Sequence, residues 1–136
     1  SLRRLLRQAR KNSEGTTAGL TEFSIKTFMN YVNQNSNLFR LLLGERQGAS
    51  VSFRKAIHGE IALFVGELTE DIERISKYHK QSFRHPNLAA EAIVAVVFTV
   101  GAEALDLSKQ KQESLSFRLV EEVNMILRGA REYKKR

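Results

Sequence analysis

The sequence predicts an all-α domain of six helices joined by short links, and three observations carry that expectation. Phe53, Ile57, Ile61, Phe64, Leu68, Ile72 and Ile75 recur at steps of 4, 4, 3, 4, 4 and 3, the spacing of one helical face. The 136 residues contain a single proline, so little interrupts a helix. A composition 42% hydrophobic and 27% charged suits one ordered, soluble domain, long enough to bury roughly two-thirds of its unfolded surface.

Each element follows from local pattern. The opening "SLRRLLRQARK" sets Leu2, Leu5, Leu6 and Ala9 on one helical face and surrounds them with basic residues. Gly15-Thr16-Thr17 breaks that helix and can cap the next. Between Leu20 and Val32 apolar residues cover most of a helix surface, which predicts a largely buried second helix. "NQNSN" (33–37) ends it and opens a very short third helix, stopped by Gly44 and Gly48. Ser50 or Ser52 starts the long fourth helix that carries the periodic stripe, and residues 76–87 read as a polar loop. Pro86 closes that loop at a first helical position. The segment 88–105 carries no charge between Glu91 and Glu103; its length and four alanines before Val96 decide for helix over strand. After a break at Asp106-Leu107-Ser108, Leu115, Leu119, Val123, Ile126 and Ala130 form the stripe of the last helix.

Charge is placed at the ends. The formal net charge is +7, yet residues 1–11 hold five basic and no acidic groups, and residues 128–136 hold five basic groups against Glu132. The long stretch between them is therefore net negative. Two basic tips result, not a basic groove across the domain.

Catalytic and metal chemistry find no support. The absence of cysteine removes disulfides, thiolate metal sites and thiol nucleophiles, and suits a reducing, cytoplasmic setting. His58, His79 and His85 do not stand three residues after a glutamate, so the pairs of di-iron bundles are missing, as are His-Glu-x-x-His and phosphate-loop motifs. Glu103 and Asp106 lie close enough for an acid/base pair, but a helix end turning to solvent is the favoured reading of them. No catalytic residue, cofactor or metal is expected. No run approaches 18 apolar residues and the opening is too basic for a signal peptide, so neither a membrane span nor signal-directed secretion is expected.

Two sets of small residues need explanation. Ala92, Ala95, Thr99 and Ala102 step by 3, 4 and 3 along a helix apolar on nearly every side. Together with Leu119, Val123 and Ile126 of the last helix they predict a homodimer through a four-helix bundle; a buried central helix in a monomer is the alternative. Gly59, Ala62 and Gly66 lie inside the long helix, where each glycine costs about 1 kcal/mol relative to alanine. They leave room either for close helix packing or for an apolar ligand beside Phe53, Ile57, Ile61 and Phe64.

The stretches "NSNLFRLLLGERQGASVSFRKAI" (35–57) and "VVFTVGAEALD" (96–106) resemble the C-terminal half of TetR-family transcriptional repressors, most nearly the FabR-like branch that controls fatty-acid synthesis. The similarity runs from about Leu2 to Ala130, with departures at Ser36 and Gly44, where the family pattern favours Pro and Arg. It implies that residues 1–136 are the effector-binding and dimerisation domain, and that residues 1–14 are the connecting helix from an N-terminal helix-turn-helix unit outside this chain. Operator DNA would be read only through that unit, with Arg3, Arg4 and Arg7 near its phosphates. It further implies a long-chain fatty acyl thioester as effector, in an apolar slot lined by Phe23, Phe28, Tyr31, Phe39, Leu42, Phe53, Ile57, Ile61 and Phe64. Two other readings stay open: a helical dimerisation or adaptor domain without a ligand, and a membrane-surface protein held by its basic first helix.

Overall fold

A computed structural model describes residues 2–12, 17–40, 51–78 and 83–133. Its elements are α1 (Leu2–Asn12), α2 (Thr17–Gln34), α3 (36–40), α4 (Val51–Tyr78), α5 (Pro86–Gly101), a 3₁₀ turn (Ala102–Asp106) and α6 (Lys109–Glu132). No strand occurs among the described residues, so the all-α expectation holds. The expected break at 15–16, the glycine stops at 44 and 48 and the start at Ser50 lie outside them. Two boundaries differ from the sequence reading. α4 runs on to Tyr78, through residues expected in the loop, and the α-helix of residues 88–105 gives way to a 3₁₀ turn at Ala102.

The helices form a ring. α5 packs between α4 and α6, α6 against α2, α2 against α1, and α1 returns to α4. The second helix buries Thr21, Ile25, Phe28, Met29 and Val32 on one face, less of its surface than its apolar content suggested. α5 begins with Pro86 in its first turn after His85. By length and composition Pro86–Asp106 is apolar enough to cross a membrane. Ala89, Ala90, Ile93, Val94 and Val97 are buried within the ring, while Leu88, Ala92, Ala95 and Thr99 of the same helix are exposed.

The chain turn after α5 is held by polar contacts. Gln112 Nε2 donates to the Ala104 carbonyl at 2.8 Å, and its amide exchanges two 2.9 Å hydrogen bonds with Asn33. Arg40 donates to the Leu105 carbonyl and, at 2.9 Å, to Asp106 Oδ1. Glu103 meets Arg118 at 3.0 Å. Glu103 and Asp106 thus each hold a separate arginine at the surface. The Ser108 hydroxyl caps α6 by accepting from Lys111 N.

The interior is divided between aromatic and aliphatic packing. Tyr31, Phe39, Phe28, Phe98 and Phe64 form an edge-to-face ladder with ring centres 5.2–6.2 Å apart. Gly101 makes room for it: a Cβ there would sit 2.6 Å from Cε1 of Phe28. The glycines of α4 do something different. A Cβ at Gly59 or Gly66 meets nothing within 4 Å, and both residues are exposed. Within one protomer they serve neither close packing nor a ligand slot, which corrects both expectations for that stripe.

Gly101→Ala should therefore destabilise the domain by roughly 1–3 kcal/mol, because the buried Phe28 ring cannot move aside freely. Gly66→Ala should stabilise it by about 1 kcal/mol through helix propensity alone. Urea unfolding followed by circular dichroism reads both signs.

Candidate functional site

The helical ring closes around a cavity of about 110 Å³. Every helix of the ring contributes: Leu6 and Arg10 from α1, Leu20, Ser24 and Ile25 from α2, Leu68, Asp71 and Ile75 from α4, Ile93, Val94 and Val97 from α5, and Val123 and Leu127 from α6. The lining is mainly aliphatic. Pockets for drug-sized ligands occupy roughly 300–1,000 Å³, so this partly open cavity holds only part of a long apolar molecule as it stands.

The polar side of the cavity is built around Asp71. Its carboxylate, 1% exposed, receives Arg10 Nε from α1 at 2.5 Å and Arg74 Nη2 from its own helix at 3.1 Å. Two further contacts continue along the same seam. Arg7 reaches Glu70 at 2.9 Å, and Arg3 reaches Glu67 at 3.1 Å and Glu60 at 3.5 Å. Arg3, Arg7 and Arg10 fall at i, i+4 and i+7, one helical face, and meet an acidic face of α4. The hydrogen bond with Glu70, then the charge of Asp71, raises the pKa of Arg7, so that cation stays charged. The outer pairs are half-exposed and contribute little each. The Arg10–Asp71 pair is buried, and breaking such a pair costs far more.

Few of the side chains expected to line a ligand slot do so. Phe28 and Phe64 line the cavity. Tyr31 and Phe39 belong to the aromatic ladder instead, and Ile61 does not reach the cavity. Phe23 is 51% exposed, on the face of α2 turned away from the core. Leu42 and the side chains of Phe53 and Ile57 lie outside the described residues. Ring-on-ring contacts hold Tyr31 and Phe39 in the core, whereas Phe28, Phe64 and Phe98 belong both to the ladder and to the cavity wall.

The residues missed by sequence reasoning left a signal. Asp71 falls between Leu68, Ile72 and Ile75 at helical spacing, an acid inside an apolar stripe. Arg10 follows Leu6 by one turn on α1. A buried charge needs a partner, and these two placements match.

The expected dimer residues divide in the same way. Ala92, Ala95 and Thr99 are exposed, while Ala102 and Ile126 are half-buried. Leu119 is fully buried and Val123 is 5% exposed and lines the cavity, so neither is free for a partner. The stripe that faces inward was read as facing outward. On the outer side α6 presents Phe117 and Met125 instead. Of the arginines expected near DNA, Arg3 and Arg7 are engaged with α4 and Arg4 is exposed. Among the described residues no group of three or more His, Cys, Asp or Glu is arranged to hold a metal.

Residues 16–126 match the family model described as "Tetracyclin repressor-like, C-terminal domain". A protein of Haemophilus influenzae described as "Uncharacterized HTH-type transcriptional regulator" is 42% identical over 129 residues, which are 95% of this chain and 61% of the relative. The chain thus spans about three-fifths of the length of that curated relative.

Asp71→Ala should leave Arg10 buried without its partner and destabilise the domain by about 3 kcal/mol, whereas Glu70→Ala should cost under about 1 kcal/mol. Paired denaturant titrations at moderate salt test the contrast; equal effects would contradict the buried seam.

Proposed function

This chain belongs to the Tetracyclin repressor-like C-terminal domain family, and from that premise we propose that it is the effector-binding and dimerisation part of a transcriptional repressor. Residues 1–136 belong to one such domain, with α1 (Leu2–Asn12) the connecting helix to a DNA-reading unit. The cavity shared by five helices is the observation that carries this reading. A ligand-free adaptor would gain nothing from an apolar cavity that loosens its core. The domain reads as non-enzymatic and cytoplasmic, acting on operator DNA only through the helix-turn-helix unit.

The resemblance to FabR-like repressors supports a long-chain fatty acyl thioester as effector. Aliphatic walls suit such a tail, since each buried CH₂ contributes roughly 0.8 kcal/mol. Because the cavity is small, entry of the tail separates the helices that surround it. α1 is the helix most exposed to that change: Leu6 and Arg10 stand in the cavity wall, and a line of ion pairs joins α1 to α4. An effector that favours one position of α1 over another biases the spacing of two DNA-reading units in a dimer.

The homodimer forms through the outer faces of α5 and α6. Leu88, Ala92, Ala95 and Thr99 make an exposed strip beside Glu91 on α5, and α6 exposes Met125. Small side chains there let a second copy approach closely.

Thermal shifts with saturated acyl thioesters of increasing length test the effector reading. Stabilisation should rise with tail length and then level off, and Val94→Phe, which fills the cavity wall, should blunt the rise. A melting temperature indifferent to tail length would leave dimerisation alone. Light scattering tests the second half: the chain should be a dimer at micromolar concentration, and Ala95→Glu, exposed in a single protomer, should give a folded monomer.

A further inference from the structure

The cavity wall contains a hydroxyl with no work to do in the protein itself. Ser24 lines the cavity, and its Oγ is buried without a hydrogen-bond partner among the described residues. A buried hydroxyl left unpaired is costly, so such groups in folded proteins are few and call for a partner. Arg10 also lines the cavity; it donates through Nε to Asp71 and presents a guanidinium that can only donate. Asp71, the acceptor on that side, is already engaged by Arg10 and Arg74. Of the two arginines on Asp71, Arg10 lines the cavity, while Arg74 stands at the surface. A hydroxyl and a guanidinium thus stand in a cavity whose wall is otherwise mainly aliphatic and aromatic.

We propose that Ser24, assisted by Arg10, forms a head-group site that binds the acyl oxygen of the cavity's ligand. The ligand class is an unbranched apolar chain ending in a carbonyl or carboxylate oxygen, since only an acceptor satisfies both groups. This rests on the effector reading above and adds what that reading lacks, namely how the oxygenated end of the ligand is recognised and where it lies. The aliphatic walls measure the tail. Ser24 reads the head, next to the Arg10–Asp71 pair through which α1 is held to α4. A hydrocarbon of equal length fills the same walls but leaves the Ser24 hydroxyl unpaired, so it binds less well. Hydrogen bonding to the ligand oxygen also places charge beside the pair that fixes α1, which links head-group recognition to the position of that helix.

Three probes on the full chain test the proposal: hexadecanoate, its coenzyme A thioester, and hexadecane delivered from cyclodextrin. Each is measured by thermal shift and by displacement of a fluorescent fatty acid. At least one oxygenated compound should bind roughly tenfold more tightly than hexadecane, the worth of one well-made buried hydrogen bond. Preference for the free acid identifies a carboxylate head, and preference for the thioester a carbonyl; either supports the site. Ser24→Ala should abolish that advantage while leaving hexadecane binding unchanged. The same variant should melt at or above the parent's temperature without ligand, because it removes an unpaired hydroxyl. Equal binding of all three compounds, or oxygenated ligands bound as tightly by Ser24→Ala as by the parent, overturns the head-group site and leaves the effector reading standing. Failure of every chain-bearing compound to bind overturns both.

Discussion

Asp71 sits where a carboxylate is least welcome, on the apolar face of α4 and almost wholly out of water. Removing such a charge from solvent costs several kcal/mol, and only close partners with good geometry offset it. Arg74 supplies one from the same helix, but it is half-exposed, and the decisive partner is Arg10 from α1. The docked position of α1 is therefore written into the energetics of α4. With α1 in place the ring of helices closes and the cavity exists. Displace α1 and a buried charge loses its partner.

That arrangement separates two kinds of interior. The aromatic ladder of Tyr31, Phe39, Phe28, Phe98 and Phe64 fixes α2, α3, α4 and α5 to one another through directional ring contacts. It tolerates little change, as the approach of Phe28 to Gly101 illustrates. Phe28, Phe64 and Phe98 of the ladder form one part of the cavity wall, and most of the rest is Leu, Ile and Val, whose contacts are non-directional and easily rearranged. A rigid frame next to a deformable pocket is what a domain needs if a ligand is to move one helix without unfolding the rest.

Small residues do different jobs at different places in this fold. Gly101 admits a ring inside the protomer, while Gly59 and Gly66 face open space on α4. The alanines and threonine of α5 form an exposed strip directly behind the buried face that lines the cavity. One helix thus serves the ligand with one side and, in the proposed dimer, the second copy with the other. The same helix is long and apolar enough to cross a membrane, with one apolar face buried in the protomer and the other exposed.

Helical class, element order and the break at residues 106–108 were legible in the sequence, because periodicity and helix breaks are local properties of the chain. The resemblance to repressors was legible too, in "FRLLL" and "GAEALD", which the fold brings together as the Arg40–Asp106 contact. Which apolar residues line a cavity and which fill a core was not, since periodicity gives the buried face of a helix but not what lies opposite it. Phe39 and Tyr31 read equally well as ligand wall, and only ring-to-ring geometry made them core. Leu119 and Val123 read equally well as an interface, and only the position of α5 beside α6 turned them inward. The pairing of Arg10 with Asp71 spans 61 residues. Both members stood out of pattern in the sequence, but their meeting depends on the closure of the ring, a long-range event that no local spacing encodes.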